Sequence, residues 1–462
     1  MVKIVSPVDG SIVAERPCAT QAEIDAALVN AGRAQRAWRG TSLAERARFC
    51  SAAVDAMLAM ADEIVPELAW QMGRPICFGR DEIFGGFQAR ARHMIEIAPS
   101  ALADYVPAPL DGFRRFIRRE PLGTVFVIAP WNYPYLSAVN SVIPALMAGN
   151  AVVLKHAAQT LLVGERFQAA CDQAGLPSGL FRNLVLDHDQ TAQIIRSGQV
   201  QQVNFTGSVA AGRAVEKSAA GLFLGVGLEL GGKDPAYVRA DANLPFAIEN
   251  IADGAFFNSG QSCCAIERVY VDRRHFDRVV SGLADVASKY VLGNPLDPQT
   301  TLGPMVRGAA ADAVRNQVSA ALKLGARRVV PAHVFPPDRP GSPYLAPEVL
   351  VNVNHDMALM RDETFGPVVG VMPVDSDEEA IERMNDSPYG LSASIWTEDT
   401  DAAERIGGQI ETGTVFMNRC DYLDPALAWT GVKNTGRGIT LSALGYSTLT
   451  RAKSYHLREA VG

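Results

Sequence analysis

The chain has 462 residues, 48% of them hydrophobic and 20% charged, with a net charge of −7. This is a globular balance, long enough for about three domains, and with 40 Gly and 27 Pro it excludes a disordered or fibrous chain. The acidic excess argues against a nucleic-acid partner, and seven scattered Cys without a Cys-x-x-Cys pair point to a reducing, cytoplasmic setting rather than a disulfide framework.

No apolar run of signal-peptide length opens the sequence, because Pro7, Asp9 and Gly10 interrupt it. Apolar and Ala positions recur at helical spacing over 20–60. A second helical stretch covers about 61–100, with breaks near Gly73–Pro75 and Gly85–Gly86. From Pro121 to Leu154 no residue is charged, a run longer than a membrane span requires. Four prolines (121, 130, 134 and 144) divide it, so a buried strand, a loop and a short helix are expected, and no membrane partner.

Short apolar runs at 123–129, 151–155, 180–186, 200–206 and 222–230 then alternate with helical stretches at about 137–148, 160–174, 189–196 and 209–219. Near-continuous apolar strands between helices predict a mostly parallel sheet covered on both faces, a doubly wound domain. The alternation resumes with a helix over 244–258, a strand over 266–272 and a helix over 274–290. VVGVMPV, SASIWT and GTVFMN follow, with helices near 376–385 and 400–410, as in a second α/β domain with room for a mixed sheet. The Pro-rich segment 333–348 reads as a surface connection. FRRFIRRE (113–120) carries four Arg and suits an exposed strand or subunit contact better than an anion site in so acidic a chain.

Three segments carry candidate chemistry. In NFTGSVAAGRAVE (204–216), Gly207 and Ser208 join a strand to a helix with Gly212 in its first turns. Such a turn offers free N–H groups and a positive dipole end to a pyrophosphate, although a glycine after a strand also serves as a plain turn. In LELGGKDP (228–235), Glu229 ends an apolar strand, where burial would raise its pKa toward the range of a general base; pointing to solvent is the other reading. In FFNSGQSCCA (256–265), a loop thiol could lie near N–H groups that favour the thiolate, or simply pack as a small hydrophobe. The seven His show no ligand spacing, so no metal site is expected.

Together these segments resemble the aldehyde dehydrogenase superfamily. PWNYP (130–134), LELGGKDP, GQSC ending at Cys263, GNPLDP (293–298) and ETFGP (363–367) stand in the family's order, from about residue 5 to 460. The resemblance implies an α/β fold: a doubly wound dinucleotide-binding domain (1–102 and 122–230), an α/β catalytic domain (231–434) and a small β oligomerisation element (103–121 and 445–462). It also implies Cys263 as nucleophile, Asn132 as oxyanion donor and Glu229 as base. Lys155 would bind the adenosine ribose, Gly207, Ser208 and Gly212 would lie by the pyrophosphate, and Trp131 would line the cofactor cleft. Glu363 and Phe365 would hold the nicotinamide ribose and ring.

Ala158 stands where many relatives carry a Glu that bonds the adenosine 2′-hydroxyl, which removes a repulsion against the 2′-phosphate of NADP; the Lys-His-Ala stretch (155–157) resembles NAD-using short-form relatives, so NAD is expected and NADP admitted. By the same resemblance Tyr133, Tyr135, Leu136, Asn140, Phe257, Trp429, Tyr422 and Leu423 would face the substrate. Relatives that oxidise succinic semialdehyde use Arg at the positions of Asn140 and Phe257. Neither is basic here, so an aromatic, mostly neutral wall implies an apolar or aromatic aldehyde. Alternatives are a semialdehyde dehydrogenase, succinic-semialdehyde-like or CoA-acylating, and a catalytically silent member; Glu229 favours water over CoA as acyl acceptor. The tail 448–462 is expected to pair with another subunit beside 103–121, in a homodimer or homotetramer.

Overall fold

The chain runs through two parallel sheets in turn. The computed structural model describes residues 1–459, the side chain of Ala332 excepted. In the first sheet Thr124–Ala129, Ala151–His156, Phe181–Asn183, Gln202–Thr206 and Gly225–Glu229 are parallel. Chain order reverses at Thr124–Ala129, which lies between Ala151–His156 and Gln202–Thr206. Open α/β sheets bind ligands beyond the carboxyl ends of their strands at such a switch point. Every residue of Thr124–Ala129 and Ala151–His156 is buried. Helices on both faces account for the uncharged run, and Pro134–Met147 within it is a core helix. Among the described residues no helix is long and apolar enough to cross a membrane.

The amino-terminal helices pack on this sheet. Thr20 and Glu23 form a capping box that starts Gln21–Trp38, and Trp38 Nε1 donates to the Leu146 carbonyl at 2.8 Å. Gly73, at φ 85°, ends Ala61–Met72 as expected. Gly85–Gly86 does not break the helix. It lies in a π-helical turn, Glu82–Phe87, where a Cβ on Gly86 would meet Leu136 at 2.8 Å, so the glycine permits close packing rather than a stop. Two strands are shorter than the apolar runs suggest. Only Phe181–Asn183 pairs within 180–186, and a turn through Gly221 (φ 82°) leaves Leu222 and Phe223 exposed before Gly225–Glu229.

Only Leu230–Lys233 separates Glu229 from the next strand, Asp234–Val238, so the carboxyl edge of the first sheet meets the amino edge of the second. The second sheet runs Arg327–Arg328, Glu348–Val351, Val368–Val374, Ile266–Asp272, Asp234–Val238, Ser392–Trp396 and Thr414–Met417, with only Arg327–Arg328 antiparallel among the described strands. Alternate side chains enter opposite apolar layers, Val269 and Val271 one and Tyr270 the other. The segment 333–348 is not simply superficial. Phe335, Leu345 and Ala346 are buried, and Arg315 of the helix Gly308–Lys323 holds it through Asp338 and the carbonyls of Ser342 and Tyr344.

The tail also departs from expectation. Thr450–Arg458 pairs antiparallel with Phe113–Pro121 of the same chain, from Thr450 opposite Pro121 to Arg458 opposite Phe113. Stacked rings, Phe116 on Tyr455 at 4.4 Å and Phe113 on His456 at 4.7 Å, reinforce this pairing. The last three residues lie outside the described residues.

Candidate active site

The site forms where the two sheet edges meet. Pro130–Asn132 follow the switch-point strand, and Asn132 is buried with its Nδ2 donating to the Gln261 carbonyl at 3.1 Å. Its own carbonyl accepts from Arg74 Nη2 at 2.7 Å and Asn258 Nδ2 at 3.1 Å. Arg74 is in turn paired with buried Glu82, whose other oxygen accepts from Tyr135 N–H at 3.0 Å. The loop of Cys263 is thus tied to the loop of Asn132. On the other side, a Cβ on Gly232 would lie 2.3 Å from the Cys263 carbonyl oxygen, so the double glycine after Glu229 permits this contact. Cys263 is partly exposed, whereas Cys264 is buried with its Sγ donating to Asp421 Oδ1 at 2.9 Å.

Glu229 ends its strand with Oε1 accepting from Thr440 Oγ1 at 2.5 Å and Oε2 from Thr206 Oγ1 at 3.2 Å. Burial pushes its pKa up, and the two hydroxyls oppose that. Thr440 arrives because Gly436–Arg437 returns to pair with Leu228–Glu229. Glu229, Thr206, Thr440, Asn204 and Ser141 line a cavity of about 200 Å³ together with Phe205, Val226, Leu228 and Ile439.

Groups suited to a dinucleotide lie along the same edge. Ser208 caps Val209–Ala219 by accepting from Ala211 N–H, and a Cβ on Gly212 would meet Leu230 at 2.6 Å, so the helix start packs close on the sheet. Lys155, at the end of its strand, makes no hydrogen bond or ion pair among the described residues, and burial lowers its pKa. Ala158 is exposed in a short 3-10 turn and adds no charge. Glu363 accepts from Gly232 N–H at 3.1 Å, and burial raises its pKa to about 7. Trp131 and Phe365 stand edge to face at 5.7 Å. A buried amine without a partner, a helix start and a partly free carboxyl fit the hydroxyls and phosphates of NAD(P).

The expected substrate wall is only partly assembled. Tyr133, Leu136, Phe257, Tyr422 and Leu423 do line a cavity of about 350 Å³. Trp429 is buried in the core of the first sheet and Tyr135 stacks on Phe167, both off this cavity. Asn140 is buried beneath it and accepts from Arg90 Nη1 at 3.4 Å. The wall is not neutral either: Arg74, Arg90, Asp81, Glu82, Asp253 and Asp421 join the aromatics. Asp421 also accepts from Ser262 Oγ at 2.7 Å, and burial raises its pKa to about 6.

Several of these groups escape sequence reasoning. Glu267 takes the N–H groups of Thr364 and Phe365 and the Lys233 ammonium at 2.5 Å, fixing the loop of Glu363 and Phe365 against the Glu229 segment. A charged residue inside the apolar run IERVYVD was the available signal. For Arg90, Asp421 and Thr440 no local pattern marked them.

The comparisons with known proteins agree with this geometry. The aldehyde dehydrogenase family model matches residues 1–455. A succinate-semialdehyde dehydrogenase [NADP(+)] of Mycobacterium avium is 32% identical over 454 residues, covering 97% of this chain and 95% of that protein. The structure of an NAD-dependent aldehyde dehydrogenase from Sinorhizobium meliloti is 31% identical with a TM-score of 0.95, covering 100% of this chain and 92% of that one. The succinic semialdehyde dehydrogenase of Streptococcus pyogenes in complex with NADP+ is 27% identical with a TM-score of 0.94, covering 99% and 100%.

Proposed function

The chain belongs to the aldehyde dehydrogenase family, an NAD(P)-dependent oxidoreductase, and we propose that it oxidises an aldehyde to a carboxylic acid through a thioester on Cys263. The observation that carries this reading is the bond from Asn132 Nδ2 to the Gln261 carbonyl, two residues before the one partly exposed thiol of the Cys pair. Asn132 has two amide N–H groups, and one remains for a substrate oxygen.

The Cys263 thiolate adds to the aldehyde carbon, and the carbonyl electron pair moves onto oxygen. Asn132 and the Cys263 N–H stabilise that oxyanion, each donor contributing about 3 kcal/mol to such a transition state. NAD(P), when bound, supplies the acceptor for the hydride that leaves the hemithioacetal carbon. Lys155, Ser208 and Glu363 hold the dinucleotide, with Trp131 and Phe365 shaping the nicotinamide end. The acyl group then rests on Cys263 as a thioester. Glu229 turns from Thr440 and Thr206, takes a proton from water, and the hydroxide releases the acid. A carboxyl with a raised pKa suits this step, and it favours water over CoA as acceptor.

Ala158 neither bonds a ribose hydroxyl nor repels a 2′-phosphate, which supports use of both NAD and NADP. The charged cavity wall weighs against a purely apolar substrate, and the name of the Mycobacterium relative brings a semialdehyde into consideration.

Glu229→Gln tests the mechanism. The variant keeps the shape and loses the base, so an aldehyde with cofactor should leave the acyl mass on the protein while turnover falls by about 100-fold or more. Intact-mass spectrometry reads the adduct. Steady turnover near the parent rate, without an adduct, would remove Glu229 from deacylation.

A further inference from the structure

We propose that Arg90 anchors a carboxylate at the far end of the aldehyde, so that the substrate is a short ω-oxo acid. The inference rests on the reading of Cys263 as the reacting group. Arg90 is 8% exposed and lines the cavity together with Tyr133, the neighbour of Asn132, and Asp421, which bonds Ser262 and Cys264 on either side of Cys263. Its Nη1 makes two long bonds, to the Leu136 carbonyl at 3.2 Å and Asn140 Oδ1 at 3.4 Å, and the guanidinium makes no ion pair among the described residues. Burial lowers its pKa, and nearby acidic groups, Glu229 among them, oppose that only in part.

The charges of the cavity separate once their partners are counted. Arg74 is spent on Glu82, and Asp421 accepts from Ser262, Cys264 and Tyr133. Asp81 is exposed at the rim, where water and salt screen it, and desolvation raises the pKa of Asp253, which weakens its negative charge. Of this cavity's charges, Arg90 is left buried without an ion pair among the described residues, and a cation so placed is stabilised when an anion joins it. A planar guanidinium with unspent N–H groups matches a carboxylate bidentately. A cavity of about 350 Å³ admits only a short chain between aldehyde and acid. This deepens the functional reading and overturns the inference from Asn140 and Phe257: the basic group is present, but it comes from the helix Gln88–Ala101 and reaches Asn140 from outside.

The experiment compares kcat/KM for 4-oxobutanoate, pentanal and 4-aminobutanal, and measures succinate binding to the same protein by calorimetry. The oxo acid should be preferred, and Arg90→Gln should lower the oxo-acid to pentanal ratio by about 100-fold, with Arg90→Lys recovering part of it. Asn140→Asp, which sets a carboxylate against Nη1, should depress the same ratio and keeps the test alive if Arg90→Gln does not fold. Preference for pentanal or for the ammonium aldehyde overturns the proposal, as does an equal loss on all substrates in Arg90→Gln. Succinate binding separates the two readings. Arg90-dependent binding without aldehyde oxidation sinks the reaction and keeps the anchor, while oxidation with Arg90-independent binding does the reverse.

Discussion

The two sheet edges that meet at the site hold their groups by different means. On the first, Asn132, Lys155, Gly207–Ser208 and Glu229 each lie at or just beyond the carboxyl end of a parallel strand, and Ser208 is an ordinary helix cap. On the second, the nucleophile loop passes through Asn258, Ser259 and Gly260 at φ 52°, 56° and 67°, and Phe365 sits at φ 51°. A non-glycine residue in that region costs about 1–3 kcal/mol and persists only where its surroundings fix it. They do so here. Ser259 Oγ donates to the Gly303 carbonyl at 2.8 Å, Gln261 Oε1 accepts from Val306 N–H at 2.8 Å, and Glu267 grips the backbone of Thr364 and Phe365. Gly260 has no substitute, because a Cβ would lie 2.2 Å from the Gly366 carbonyl oxygen. Regular strand ends suffice to present a binding surface, whereas aiming a thiol requires a constrained loop and a buried polar frame around it.

The sharpest way to break this comparison is within the constrained loop. Cys263→Ala should reduce aldehyde-dependent NAD(P)H formation to background, because no other group supplies the covalent step. Cys264→Ala removes one of the three donors to Asp421 and should retain most activity. The reverse outcome would move the nucleophile one residue along and leave the Asn132 contact without its purpose.

Stability should divide along the same line. Lys233→Met leaves Glu267 without its cation in a buried site, a change that typically costs about 3–5 kcal/mol. Ser208→Ala removes one cap from the first edge and should cost about 1 kcal/mol. Urea unfolding of both variants reads the difference. Equal losses would mean that the Glu267 frame carries no more than an ordinary cap.

Much of the first edge was legible in the chain. Short uncharged runs bounded by Gly or Pro, such as 124–129, read as strands covered on both faces, and the turns that follow them show as Gly and Ser. Glu229 and Cys263 stood out because a carboxylate in an apolar strand and a thiol after Gly-Gln are locally unusual. The frame was not legible, because its members gain meaning only in contact: Arg74 with Asn132, Thr440 with Glu229, Arg90 with Asn140. Each pair joins segments distant in sequence, and none of these residues breaks a local pattern. Trp429 and Tyr135 misled for the converse reason. Aromatics near a motif look like a pocket wall, but both have room in the core.

The smallest expected effect asks whether the first edge is tuned as well as built. Thr440 and Thr206 donate to the Glu229 carboxylate and so stabilise its charged form against the burial that raises its pKa. Thr440→Val removes the shorter of these bonds with little change in shape. The pKa of Glu229 should then rise further. A general base works only when deprotonated, so the rising limb of kcat against pH should move to higher pH, by about one unit if a charged hydrogen bond of about 1.4 kcal/mol is lost. Thr206→Val, whose bond is 3.2 Å rather than 2.5 Å, should move the limb less in the same direction. A limb that stays fixed in Thr440→Val would mean that Glu229 has already left Thr440 in the rate-limiting state, and that the tuning seen on this edge belongs to the resting enzyme alone.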